Sequence, residues 1–325
     1  MKKVDDIVNR KNVMLATVFT LTLLSLLLVV GMLTPLFFKM ITGIEMILEA
    51  SYFNERTAIP MLFLVFVLNI CALLYLTDAR KASLVPLVGI FISVISFFVS
   101  PFNSFILDVS IPFLLISLVS VIALLGYLMV NRLPSTSNGS QLNLRKIGAH
   151  IVHLGIILIL IGVVISSTAK VEDSAEFSLN IEKYLDSQDY TIKVTQMNSY
   201  YEGMPYEGYP GSSYITDIQF DLYSGDRYID TGEMKYITDF KWEQSYTTTY
   251  INRGFRNEIF IAPRAIDLTK EEISLYVRTV PYISLVWIGT FLLVLGSSVV
   301  LLIESKKGFK GNIKGRIDDE EESSN

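Results

Sequence analysis

Histidine is nearly missing from this chain: His150 and His153 are the only two among 325 residues. Cysteine is rarer still. Cys71 stands alone, which excludes an internal disulfide, a C-x-x-C redox pair and a cysteine-based metal cluster. Without C-x-x-C-H the chain is not itself a c-type cytochrome. Lying in an apolar run, Cys71 is expected to be a buried structural thiol. Tryptophan is limited to Trp242 and Trp287. Charge is also scarce, at 18% of residues against about 25% in ordinary soluble domains. No basic stripe points to nucleic acid. The net charge of −5 gathers in DDEEE at 318–322 and in the segment 170–278.

What the chain has in quantity is apolar sequence: 51% hydrophobic residues and a mean hydropathy of +0.46. It falls into charge-free runs at 13–38, 57–77, 82–100, 109–130, 147–169 and 279–303. Each comes near or exceeds the roughly 20 residues that cross a bilayer as a helix. The first run is too long for the apolar core of a signal peptide and reads as a retained anchor. The fold expected is therefore a polytopic α-helical membrane protein of six transmembrane helices, with one extracytoplasmic, mainly-β domain between helices 5 and 6. Residues 1–12 form an N-terminal segment and 13–169 a five-helix membrane domain. The β domain is 170–278, the sixth helix 279–303, and 304–325 a charged tail expected to be disordered. Basic residues set the orientation. Lys2, Lys3, Arg10, Lys11, Arg80, Lys81, Arg132, Arg145, Lys146, Lys306 and Lys307 all fall on one side of such a bundle. That side is read as cytoplasmic, with both termini there, in a multi-pass protein of the cell membrane.

The segment 170–278 is rich in tyrosine and alternates in the manner of strands at 190–197, 215–223, 236–242 and 257–268. DLYSGDRYID reads as a hairpin about a Ser-Gly-Asp turn. EGMPYEGYPG, 202–211, reads as a Gly/Pro-rich surface loop, and TKEEISLYV, 269–277, as a capped lead-in to the last helix. A small antiparallel sandwich or barrel is expected. The domain has no histidine or cysteine, so Cys–His and Ser–His–Asp chemistry is excluded within it. Its Arg253, Arg256 and Arg264 are candidates for contacts with an anionic group, or ordinary surface arginines.

Both histidines lie in GAHIVHLGIILILIG, 148–162, three residues apart and so on one side of a helix. An ionisable group within an apolar span is costly and is expected to face the protein interior with a partner. Three readings remain open: one histidine as an axial haem ligand, the pair as a proton or ion relay, or both as hydrogen-bonding glue between helices.

GAHIVHLGIILILIGVVISS resembles a segment of the haem lyase family of cytochrome c maturation proteins, CcmF, in which a His-Leu-Gly-like stretch opens a helix before a large extracytoplasmic domain. SYFNERTAIPMLFLVFVLN is similar to a second family stretch, through Tyr52, Phe53, Asn54 and a helix-entry Pro60. DLTKEEISLYVRTVPYISLVWIGTFLLVLGSS resembles the family's ending, through Arg278, Pro281, Trp287, Ile288, Gly289 and Gly296. The resemblance covers roughly 50–303 and only the C-terminal half of a full-length member, as in a split form. It implies that His153 is an axial ligand to the iron of a b-type haem, with His150 beside it in no assigned role. It further implies a subunit of a cytochrome c haem lyase, not catalytic by itself. Its partners would be a complementary N-terminal-half subunit, a haem chaperone, apocytochrome c and a quinol. The family's Trp-rich platform and second membrane histidine have no counterpart here, so the other subunit would bring them. Rival readings are a permease or scaffold subunit, and a plain electron-transfer b-type cytochrome subunit.

Overall fold

The computed structural model describes residues 8–74, 76–130, 137–185 and 188–322. Lys2, Lys3 and Arg132, used above for orientation, lie outside them. The chain divides into two compact units, one of 1–164 with 285–325 and the other of 165–284.

Among the described residues the first unit holds six helices, each with a window long and apolar enough to cross a membrane. They are α1 (Arg10–Thr42), α2 (Ala50–Leu73), α3 (Ala79–Val99), α4 (Phe105–Val130), α5 (Ser137–Thr168) and α6 (Ser284–Glu322). α1 opens on Asn9, whose side chain accepts the Asn12 N–H at 2.9 Å. It closes on Gly43, whose left-handed φ of 72° lets its N–H reach the Lys39 carbonyl. α2 begins seven residues earlier than its charge-free run, because SYFNER continues the helix rather than preceding it. Pro60 consequently lies inside α2 and not at its entry. Phe53 lies against Gly31 of α1, where a side chain on Gly31 would collide with its ring. Arg56 folds back so that its guanidinium sits 3.7 Å above the Tyr52 ring and donates to the Tyr52 carbonyl.

Between α3 and α4, Ser100 and Asn103 take left-handed φ values in the SPFNSF turn. Asp108 closes that turn. It is 1% exposed and accepts from Ser100 Oγ at 2.7 Å and from the Phe102 N–H at 2.9 Å. Deeper in the bundle, Asn69 of α2 is fully buried and donates to Ser117 Oγ of α4, a polar link between helices. Cys71 is exposed rather than buried, because α2 turns it outward while its neighbours Ala72 and Leu73 face in. The tail expected to be disordered continues α6 to Glu322. Extending a formed helix costs far less than nucleating one.

The second unit is an antiparallel sandwich. One sheet has the order β1-β9-β8-β7, from β1 (Val171–Ser178), β7 (Tyr250–Arg253), β8 (Asn257–Asp267) and β9 (Glu272–Pro281). The other has the order β2-β3-β4-β5-β6, from β2 (Glu182–Leu185), β3 (Tyr190–Glu202), β4 (Ser213–Ser224), β5 (Arg227–Asp239) and β6 (Gln244–Thr247). Alternate residues of both sheets meet in one core, with Ile192, Phe220, Leu222, Ile261, Leu275 and Val277 all fully buried. The Ser-Gly-Asp turn joins β4 to β5, with Ser224 opposite Arg227. The segment expected as a helical lead-in is β9 instead. Ile273, Leu275, Val277 and Thr279 alternate inward along it, and Thr269 takes part in a turn closed by Asp267. The last helix accordingly starts at Ser284, not at 279.

Candidate functional site

The histidines sit in the apolar part of α5, which is continuous from Ser137 to Thr168. Two faces of this helix have different tasks. On one, Gly148, Gly155 and Gly162 recur every seven residues and meet α6. A Cβ on Gly155 would lie 2.6 Å from the Gly289 carbonyl oxygen, and one on Gly289 would lie 2.6 Å from the Gly155 carbonyl oxygen. Gly148 and Gly296 stand in the same relation, so the two helices run antiparallel with their backbones in contact. Arg145 and Glu304 extend this register as an ion pair at 3.2 Å. Glycine is needed here because any side chain would meet backbone, which cannot rotate away.

His150 and His153 lie roughly 140–200° around the helix from Gly148, at 3.6 residues per turn. They therefore belong to the face opposite the glycine seam. Ile157 and Ile161, fully or almost fully buried, share that face. Spaced three residues apart, the imidazoles meet: Nδ1 of His150 is 3.3 Å from Nδ1 of His153, with the ring planes at 63°. Only one proton fits between two ring nitrogens at that separation. One ring donates and the other accepts, so the tautomer of each dictates that of the other. His150 is only 9% exposed, whereas His153 keeps more accessible surface.

Among the described residues no group of three or more His, Cys, Asp or Glu side chains is placed to hold a metal. A separate cavity of about 570 Å³ lies between α2, α3 and α4. It is lined by Phe63, Phe66, Phe97, Phe105 and Phe113, with Ser93 as its polar residue. Among the described residues no titratable group lines it.

The arginines of the β domain do not converge. Arg253 ends β7 and faces Glu258 at 3.7 Å, and Arg256 follows in the turn, its carbonyl accepting the Tyr282 N–H. Arg264 lies six residues along β8 from Glu258, about 20 Å at 3.3 Å per residue, and its guanidinium rests 4.7 Å from the Tyr276 ring centre. Trp242 and Trp287 are both largely exposed, one in each unit. What sequence reasoning missed is the seam. The seven-residue repeat of Gly148, Gly155 and Gly162, matched by Gly289 and Gly296, is visible in the letters alone.

No protein-family model matches the chain, and no curated protein matches it. Among solved structures, one described as "Cytochrome c Heme Lyase CcmF" superposes with a TM-score of 0.67 over 90% of this chain, at 14% identity. The match takes in 46% of that structure's chain, so the present chain spans about half of its length. At this identity the likeness establishes a shared fold: six apolar helices with a β-rich domain between the fifth and the sixth.

Proposed function

We propose that this chain is a subunit of a cytochrome c haem lyase and that His153 is one axial ligand of a b-type haem held with a second subunit. The observation that carries the proposal is the coincidence of two things. The fold is shared with a haem lyase, and the chain's two histidines stand together on the helix that leads into the β domain. The donor set fits one side of a haem iron. An imidazole engaged through Nδ1 keeps Nε2 for a metal, the usual arrangement for a ligating histidine. It does not fit both sides, since neighbours three residues apart on one helix cannot take opposite faces of one iron. A second histidine for the iron and the Trp-rich surface for the delivered haem would come from the complementary subunit.

When bound, such a haem supplies single electrons, drawn from a quinol, that keep the incoming haem reduced. The residues of this chain hold, orient and shield. The glycine seam fixes the rotation of α5, and Ile157 and Ile161 keep its histidine face dry. The β domain, read as extracytoplasmic from the basic residues of the opposite loops, would help form the surface where a haem chaperone and apocytochrome c meet. There each cysteine S–H adds across a vinyl C=C of the delivered haem, sulfur to one carbon and hydrogen to the other. No net oxidation accompanies that addition. The permease reading gains nothing from Asp108, whose carboxylate is committed to closing a turn.

The test is a reduced-minus-oxidised absorption spectrum of the complex purified in mild detergent after coexpression with its genomic neighbours. A b-type signal present in the wild type and lost in His153→Ala is the expected result. A wild-type complex that is intact and colourless would sink the proposal.

A further inference from the structure

We infer that His150 is the positioning residue of the site: it accepts the Nδ1 proton of His153 and so holds His153 in the tautomer whose Nε2 lone pair can bind iron. This rests on the haem reading above and gives the second histidine a task which that reading leaves open. It starts from the 3.3 Å approach of the two Nδ1 atoms. A single proton between them has two placements. If His150 donates, His153 must carry its own proton on Nε2, and that nitrogen is closed to a metal. If His153 donates, its Nε2 is a bare lone pair and His150 is protonated on Nε2. Only the second placement makes a ligand of His153.

Surface accessibility favours His153 as the ligand and His150 as its support. A group shared with another subunit has to be reached from outside the chain, and His153 has the accessible surface for it. His150 is nine-tenths buried and lies one turn nearer the start of α5. The geometry is also held from behind. α5 cannot rotate without driving Gly148 or Gly155 into the backbone of α6, so the azimuth of both rings is set by the seam. Outer partners of this kind orient the ligating ring and raise its basicity, and their removal commonly weakens metal binding about 10–100-fold.

The closing experiment compares wild type, His150→Leu and His150→Asn in the coexpressed complex. Two quantities are read: the rate of haem loss to an excess of a haem-scavenging apoprotein, and the reduction potential of the haem retained. Asparagine places Oδ1 where the imidazole has Nδ1, so it keeps the acceptor while discarding the ring. Leucine fills similar space with no acceptor. The expected result is haem held about 10–100-fold more weakly, at a raised potential, in His150→Leu, with His150→Asn close to wild type in both. A His150→Leu complex equal to wild type in retention and potential would overturn the inference while leaving the haem reading intact. So would a His150→Asn complex as impaired as His150→Leu. If His150→Leu does not assemble, His150→Ala takes its place as the variant without an acceptor, with the same difference expected from His150→Asn. A colourless wild type would remove the haem reading itself, and this inference with it.

Discussion

Replacing Gly155 by alanine adds one methyl group, and the structure says where it must go: 2.6 Å from the Gly289 carbonyl oxygen and 2.8 Å from the Leu293 nitrogen. Ordinary contacts of a Cβ begin near 3.4 Å. Both obstacles are backbone, so no side-chain rotation relieves them, and α5 and α6 must separate by the better part of an ångström. A gap of that size forfeits about a quarter to a half of the attraction of each contact it opens. Overpacking of this kind costs about 1–3 kcal/mol, and with backbone on both sides the upper part of that range is expected. Gly126→Ala is the matched control, since nothing lies within 4 Å of a Cβ there. Both substitutions gain the same helix propensity of about 1 kcal/mol, which cancels in the comparison. Unfolding in mixed micelles of mild detergent and SDS should therefore place Gly155→Ala about 1–3 kcal/mol below Gly126→Ala. Equal midpoints for the two variants would refute backbone contact at the seam.

Three further outcomes follow from other sites. Ser117→Ala leaves the fully buried Asn69 amide without its α4 partner and should cost about 1 kcal/mol. Asn69→Leu should be nearly neutral, since the Asn69 carbonyl oxygen has no partner among the described residues to lose, and the same micellar unfolding reads both. Asp108→Ala strips the α3–α4 turn of its acceptor and should destabilise by about 1–3 kcal/mol, measured as a lowered melting temperature of the purified protein. In the β domain, burial first and then donation to Asp230 push the Tyr250 phenol up to about 12. A group whose pKa is raised on folding stabilises fully below its ordinary value of about 10. That contribution is lost as pH climbs through 12. Titration of the near-ultraviolet tyrosinate band should thus show a component near 12 that is lost in Tyr250→Phe, and Asp230→Asn should move that component to lower pH.

The six apolar helices could be read from the letters because length and absence of charge suffice to mark a span. Their ends could not. SYFNER carries a glutamate and an arginine and so looks like a loop, yet the arginine folds onto Tyr52 and the helix runs through it. In the β domain the Ser-Gly-Asp hairpin was plain, whereas β9 was hidden by a competing local signal. Thr269 followed by two glutamates mimics a helix cap, but Ile273, Leu275, Val277 and Thr279 repeat every second residue, and the sandwich core rewards that period. β2, β6 and β7 are four residues each, too short for alternation to declare itself. At the site, a shared face for His150 and His153 follows from spacing alone. Their mutual contact depends on rotamers, and their unequal burial depends on what packs around α5, and neither is written in the local sequence. Arg253 and Arg264 stand apart for a related reason, since closeness along a chain becomes distance once the residues are strung along an extended strand.

The glycine seam also sets an order of events during biosynthesis. α5 reaches its final azimuth only when α6 lies against it, and Gly155 and Gly289 are separated in the chain by the whole β domain. At about 5–20 residues per second, on the order of ten seconds pass between the emergence of one glycine and that of the other. Throughout that interval α5 is a helix with one unfilled groove, and its two histidines point wherever lipid and the earlier helices allow. The geometry of the histidine pair is thus among the last features of the protein to be completed, and a ribosome stalled within the β domain leaves an α5 without the stop that orients it.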